Sequence, residues 1–179
     1  MKNKVIITLA VILLICAGVV GYFWLTNGRS TFNADNEVYT GELAPDFTVQ
    51  LLSGEYFTLS YHRGTVVVLD FWATWCGPCV AKMPTIQALH EQFGDRVIFV
   101  GMNVGEAQSR VQEFIDDRGF TYAIGLDVGS RIHRNYYPSP GVPYMVIING
   151  EGVITSTFLG GGVGLEAIYT QAILEALGE

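Results

Sequence analysis

The sequence predicts an α/β domain with a mixed central sheet, helices on both faces and an extra β-hairpin at its N-terminal side. Three observations predict it. Gly64 to Ala73, GTVVVLDFWA, is a nearly continuous β-branched and aromatic run, as expected of a strand buried on both faces. A helix signal at Gly77 and Pro78 and a second apolar run, Arg96 to Val104, follow it, so strand, helix and strand form a right-handed parallel crossover. Two later runs, Val142 to Ile148 and Val153 to Leu159, flank Asn149-Gly150-Glu151-Gly152, a hairpin signal that makes the sheet mixed.

The elements follow in chain order. Val5 to Leu25 is 21 residues without a charge, and at about 1.5 Å per residue a helix of that length spans roughly 30 Å of hydrocarbon. No small-x-small cleavage site follows it, so residues 1–26 are expected to be an uncleaved transmembrane anchor rather than a signal peptide. A lipidated Cys16 is disfavoured by the bulky Ile15 before it. Lys2 and Lys4 precede the run and should stay cytoplasmic, against the single Arg29 after it. The expected location is therefore the cytoplasmic membrane, single-pass, with residues 43–179 as a catalytic domain on the extracytoplasmic side.

Residues 27–42 are polar, lack apolar periodicity and read as a linker. APDFTVQLLSGEYFTLS, from Ala44, alternates around Ser53-Gly54 and predicts the hairpin. Proline at the start and the run to Phe93 predict a long helix, bent at Pro84. Ala107 to Arg118 sets Val111, Phe114 and Ile115 on one helical face, Thr121 to Leu126 is a short strand, and Ser130 to Tyr137 a short helix. Leu165, Ile168, Tyr169, Ala172, Ile173, Ala176 and Leu177 recur at three- and four-residue intervals, giving a final amphipathic helix.

The charge of the whole chain is −7, and beyond Arg29 there are seven basic against seventeen acidic residues. Nucleic acid is an unsuitable partner for such a surface. Of three cysteines, Cys16 lies in the anchor, which leaves Cys76 and Cys79 to the domain. A two-residue loop constrains an unfolded chain very little, so bracing is a poor account of this pair. A structural zinc site needs four ligands, and His62, His90 and His133 show no ligand spacing and read as plain surface or helix residues. No metal or cofactor is expected. Attachment of c-type haem needs histidine where Val80 stands, and the peroxidase pattern needs threonine or serine and proline where Ala73 and Leu69 stand. Redox exchange remains. At the mouth of a helix Cys76 gains from the dipole and from unpaired N–H groups, which favour the attacking thiolate. Cys79, one turn later, is placed to resolve a mixed disulfide, while Gly77 permits close approach and Pro78 stiffens the turn. Asp70, in an apolar strand, is costly to bury ionised and should have a raised pKa.

Asp70 to Cys79, DFWATWCGPC, resembles the active-site segment of thioredoxins. With the N-terminal anchor, the APDF hairpin, Pro84 and GVPYMVIINGEG, the chain is similar to the TlpA and ResA type of extracytoplasmic thioredoxin-like proteins over about residues 43 to 177. The resemblance implies a thioredoxin-like fold and a cis Val142-Pro143 peptide beside the cysteines, whose backbone pairs with an incoming peptide. It also implies that Asp70 helps Cys79 lose its proton; Trp72 and Trp75 themselves read as packing around the site, with Trp75 shielding it. The implied activity is reduction of protein disulfides, apocytochrome c among them, with electrons from a transmembrane thiol carrier of the CcdA or DsbD type. A disulfide oxidase or isomerase, or a non-catalytic binding module, are the alternatives. One position departs: Lys82 stands where ResA-like proteins commonly carry glutamate, and it reads as a solvated helix-face lysine.

Overall fold

The computed structural model describes residues 40–161 and 164–179 of the chain, all within one compact unit. The expected anchor, Cys16 and nearly all of the expected linker lie outside the described residues. Among the described residues no helix is long and apolar enough to cross a membrane.

The hairpin forms from β1 (Thr48–Gln50) and β2 (Tyr56–Thr58), followed by a 3-10 turn at Leu59–His62. A second sheet holds β3 (Val66–Trp72), β4 (Val97–Val104), β5 (Ala123–Asp127), β6 (Tyr144–Ile148) and β7 (Ile154–Leu159) in the order β5-β4-β3-β6-β7. Strands β3, β4 and β5 run parallel, and β6 and β7 are antiparallel additions. The helices are α1 (Gly77–Phe93), α2 (Gln108–Asp116), α3 (Arg131–Tyr136) and α4 (Glu166–Leu177). The expected mixed sheet, hairpin and helices on both faces are all present. Helix α1 continues through Pro84, which is exposed.

Strand β3 is buried at every position, and its period-two alternation divides the core in two. Val66, Val68 and Trp72 join Met83, Ile86 and Leu89 of α1, Val111 and Ile115 of α2 and Ile173 of α4. Val67, Leu69 and Phe71 join Val49 and Phe57 of the hairpin and Ile132 of α3. Each such Val, Leu or Phe contributes about 1.5–3 kcal/mol by leaving water. The same alternation puts Asp70 on the Val68 and Trp72 face, under α1, at 2% exposure. The end of β3 and the start of α1 are thereby fixed by core packing on both sides, and the cysteines stand at that junction.

Candidate active site

Cys76 is the N-cap of α1. Its backbone is extended, its sulfur accepts the Cys79 N–H at 3.2 Å, and its carbonyl accepts the Val80 N–H at 3.0 Å. Proline in the first turn suits this cap because the N–H it lacks has no partner inside a helix. Cys76 and Cys79 form a disulfide, with sulfurs 2.10 Å apart and Cα atoms 5.2 Å apart. The two differ in access: Cys76 retains 5% exposure and Cys79 none. An incoming sulfur therefore meets Cys76. A helix N-terminus also stabilises negative charge at that atom, whereas Cys79 is one turn inside.

The loop before β6 completes the outer surface. Val142-Pro143 is a cis peptide, and the Val142 carbonyl oxygen lies 3.5 Å from the Cys76 sulfur. Gly77 and Pro78 are exposed beside it. Trp72 packs fully into the core against Phe114, as the packing expectation had it. Trp75 does not: it is 69% exposed, at the position just before Cys76. Its predecessor, Thr74, is held by a carboxylate that sequence reasoning missed. Glu106 accepts the Thr74 N–H at 2.7 Å, the Thr74 hydroxyl at 2.6 Å and the Asn103 amide at 2.8 Å. Partial burial pushes the Glu106 carboxyl up, but these hydrogen bonds outweigh it and hold it below its ordinary value. No local pattern around Gly105-Glu106 marks a partner 32 residues away.

Behind the disulfide, one expectation is overturned. Lys82 is fully buried, not solvated, and its ammonium meets Asp70 Oδ1 at 2.5 Å. The cause is helical spacing: Cys79, Lys82, Ile86, Leu89 and Phe93 recur at three- and four-residue intervals and all face the core. That stripe was the available signal, together with an Asp in an apolar strand that needed a counter-charge. Burial pushes the Asp70 carboxyl above its ordinary value, and Lys82 opposes this without cancelling it. The direction agrees with expectation. Tyr122 and Tyr169 complete the cluster. Burial, and secondarily Asp70, raises both phenols, Tyr169 to about 12, so both are neutral at physiological pH. The Lys82 ammonium lies 6.0 Å from the centre of the Tyr169 ring. Gly101, paired with Asp70 across β3 and β4, leaves room for Tyr122, since a Cβ there would come within 2.8 Å of its ring.

A disulfide-forming pair at a helix mouth, with one accessible sulfur and one enclosed sulfur, is built for thiol–disulfide exchange. The comparisons agree. The AhpC/TSA family model matches residues 40–157. Thiol-disulfide oxidoreductase ResA of Bacillus thuringiensis strain Al Hakam is 32% identical over 162 residues, covering 89% of this chain and 91% of the relative. A solution structure from Bacteroides thetaiotaomicron, described as a candidate protein disulfide isomerase, is 36% identical with a TM-score of 0.72, covering 79% of this chain and 92% of that one. A crystal structure from Chlorobium tepidum, described as a candidate thiol:disulfide interchange protein DsbE, gives a TM-score of 0.74 at 27% identity, covering 79% and 100%. Ala73 and Leu69, both fully buried, hold the positions at which a peroxidase cysteine would need its own partners. The chain thus belongs to the AhpC/TSA family, and within that thioredoxin-like frame it is a thiol-disulfide oxidoreductase of the ResA type.

Proposed function

We propose that the protein is anchored in the cytoplasmic membrane by residues 1–26, with residues 27–42 as a linker, and reduces disulfides of exported proteins on the outer side. The observation that carries the chemistry is the asymmetry of access between Cys76 and Cys79. In the dithiol form the Cys76 thiolate attacks one sulfur of a substrate disulfide, and the other substrate sulfur leaves as a thiolate. The Cys79 thiolate then attacks the Cys76 sulfur and expels the second substrate thiolate. Two electrons have then passed to the substrate, whose two thiolates take protons from solvent, and the Cys76–Cys79 disulfide remains. Asp70 takes the Cys79 proton, and the substrate backbone pairs at Val142-Pro143, with Trp75, Gly77 and Pro78 forming the rest of the contact.

Support for the location comes from the uncharged run after Lys2 and Lys4. Outside the cytoplasm a reductant needs electrons delivered through the membrane, hence a thiol carrier of the CcdA or DsbD type as donor. Apocytochrome c, whose haem-binding cysteines must be reduced, is the substrate that the family resemblance favours. The similarity to a candidate disulfide isomerase favours a second reading, shuffling of disulfides in secreted proteins.

One experiment separates these. Cys79→Ser should accumulate mixed disulfides through Cys76, because the resolving sulfur is gone, whereas Cys76→Ser should trap nothing. Apocytochromes c among the trapped proteins support the reductant. A broad set of multi-disulfide secreted proteins supports the isomerase, and equal trapping by both variants defeats the assignment of roles.

A further inference from the structure

We propose that His133 and Ser139 are positioning residues for the exchange reaction: a hydrogen-bond relay from the His133 imidazole through the Ser139 hydroxyl to the Gly141 carbonyl fixes the loop that presents Val142 to Cys76. The inference rests on the reading that substrate backbone pairs at Val142-Pro143.

His133 was expected to be a plain surface or helix residue. It lies on α3 but faces inward at 8% exposure, with its ring 5.3 Å from that of Phe71 on β3. The base of α3 is fixed by Asp127 at the end of β5, whose carboxylate oxygens accept the Ile132 N–H at 3.0 Å and the His133 N–H at 2.9 Å. From this fixed base the ring reaches the loop. His133 Nε2 lies 2.9 Å from the Ser139 Oγ, and the Ser139 hydroxyl donates to the Gly141 carbonyl at 2.6 Å. Serine has one hydroxyl proton. With that proton given to Gly141, the oxygen accepts from Nε2–H, and this is the arrangement that satisfies both contacts. Those two contacts put the single proton of a neutral imidazole on Nε2, and burial, opposed by Asp127 and reinforced by Arg134, lowers the His133 pKa and so favours the neutral form.

The next residue after Gly141 carries the functional backbone, for the Val142 oxygen is 3.5 Å from the Cys76 sulfur. Pro138 and Pro140 on either side of Ser139 lack N–H donors, so the segment has few backbone hydrogen bonds of its own. Side-chain bonds must hold it. The relay thus ties the outer surface of the site to the β3 and β5 framework, by a route separate from α1.

Steady-state reduction of insulin by the full-length chain in detergent micelles, with dithiothreitol as electron source, tests this. Ser139→Ala and His133→Leu should each raise the KM about five- to tenfold and change kcat by less than about twofold. Ser139→Thr and His133→Gln, which keep a hydroxyl and a side-chain N–H, should stay within about twofold of the parent. The Ser139→Ala/His133→Leu pair should be no worse than either single change, because both break one chain of bonds. An unchanged KM in both disruptive variants overturns the proposal. So does His133→Gln failing as badly as His133→Leu, which would make the ring a packing element only. Should His133→Leu fail to fold, the half-buried Ser139 carries the test through its Ala and Thr variants. Loss of saturable insulin reduction in the parent itself is a separate outcome, and it strikes the substrate-pairing reading instead.

Discussion

Outside the disulfide, the protein offers Trp75, Gly77 and Pro78, uncharged and exposed, beside the half-buried Val142. Behind it stand Asp70, Lys82, Tyr122 and Tyr169, polar or charged and almost wholly enclosed. One helix serves both regions. Its N-cap, Cys76, belongs to the outer surface, and three residues on the chain has turned inward to Cys79, then after three more to Lys82. The usual distribution of polarity is reversed within two turns. Contact with a partner gains from an exposed apolar surface, whereas proton movement needs ionisable groups kept from competing with bulk water. The outer region should therefore matter for substrate affinity and little for folding, and the inner one should dominate stability.

The largest expected effect comes from breaking the inner pair. Asp70→Asn leaves the Lys82 ammonium buried with no carboxylate, and should cost about 3–5 kcal/mol in urea unfolding at neutral pH. Asp70→Leu/Lys82→Met, which removes both charges, should return to within about 1–2 kcal/mol of the parent. A single variant that costs less than the double one would show that the pair is not the main support of the interior.

A smaller effect, readable in pH, follows from the other half of the pair. Lys82→Met removes the one interaction that lowers the Asp70 pKa, so the carboxyl, already raised by burial, rises further. A carboxyl raised in the folded state contributes most below its unfolded value, ordinarily 3.8, and its contribution is lost as pH rises through the folded value. Lys82→Met should accordingly be less stable than the parent by about 2–3 kcal/mol at pH 8, and the gap should narrow toward pH 5. Urea midpoints at the two pH values decide it. A gap that stays constant would mean that lost packing, not the uncompensated carboxylate, is responsible. Because Lys82 is fully buried, added salt should change this gap little.

The same division explains what the sequence made legible. The run VVVLDFW announces a strand buried on both faces, and Cys76, Gly77 and Pro78 announce the helix start, because both signals are local and each is written in consecutive residues. Asp70 was legible for the same reason, as an acid in an apolar run. Its partner was not, since lysine is ordinarily a surface residue, and only the stripe through Cys79, Ile86, Leu89 and Phe93 shows which face Lys82 is on. Glu106 and the His133–Ser139 contact bind through loops, where no periodicity links donor to acceptor. Trp75 is exposed although tryptophan is usually half buried or more, and its exposure was not written in any periodic pattern of neighbouring residues.

Trp75 then gives the smallest stability effect and the sharpest contrast with the interior. At 69% exposure it has little to lose on truncation, so Trp75→Ala should change the unfolding free energy by less than about 0.5 kcal/mol. If it is part of the outer contact, the same change should raise the KM for insulin about threefold or more, because an exposed indole that becomes covered on binding contributes apolar area without having been fixed in the core. Asp70→Asn should show the opposite balance, with stability lost and KM little altered among molecules that remain folded. Measuring both quantities for both variants tests the contrast. A Trp75→Ala protein that is destabilised yet binds as before would mean that the indole supports the loop through Thr74 and Cys76, and that the outer surface is no more a contact region than the interior.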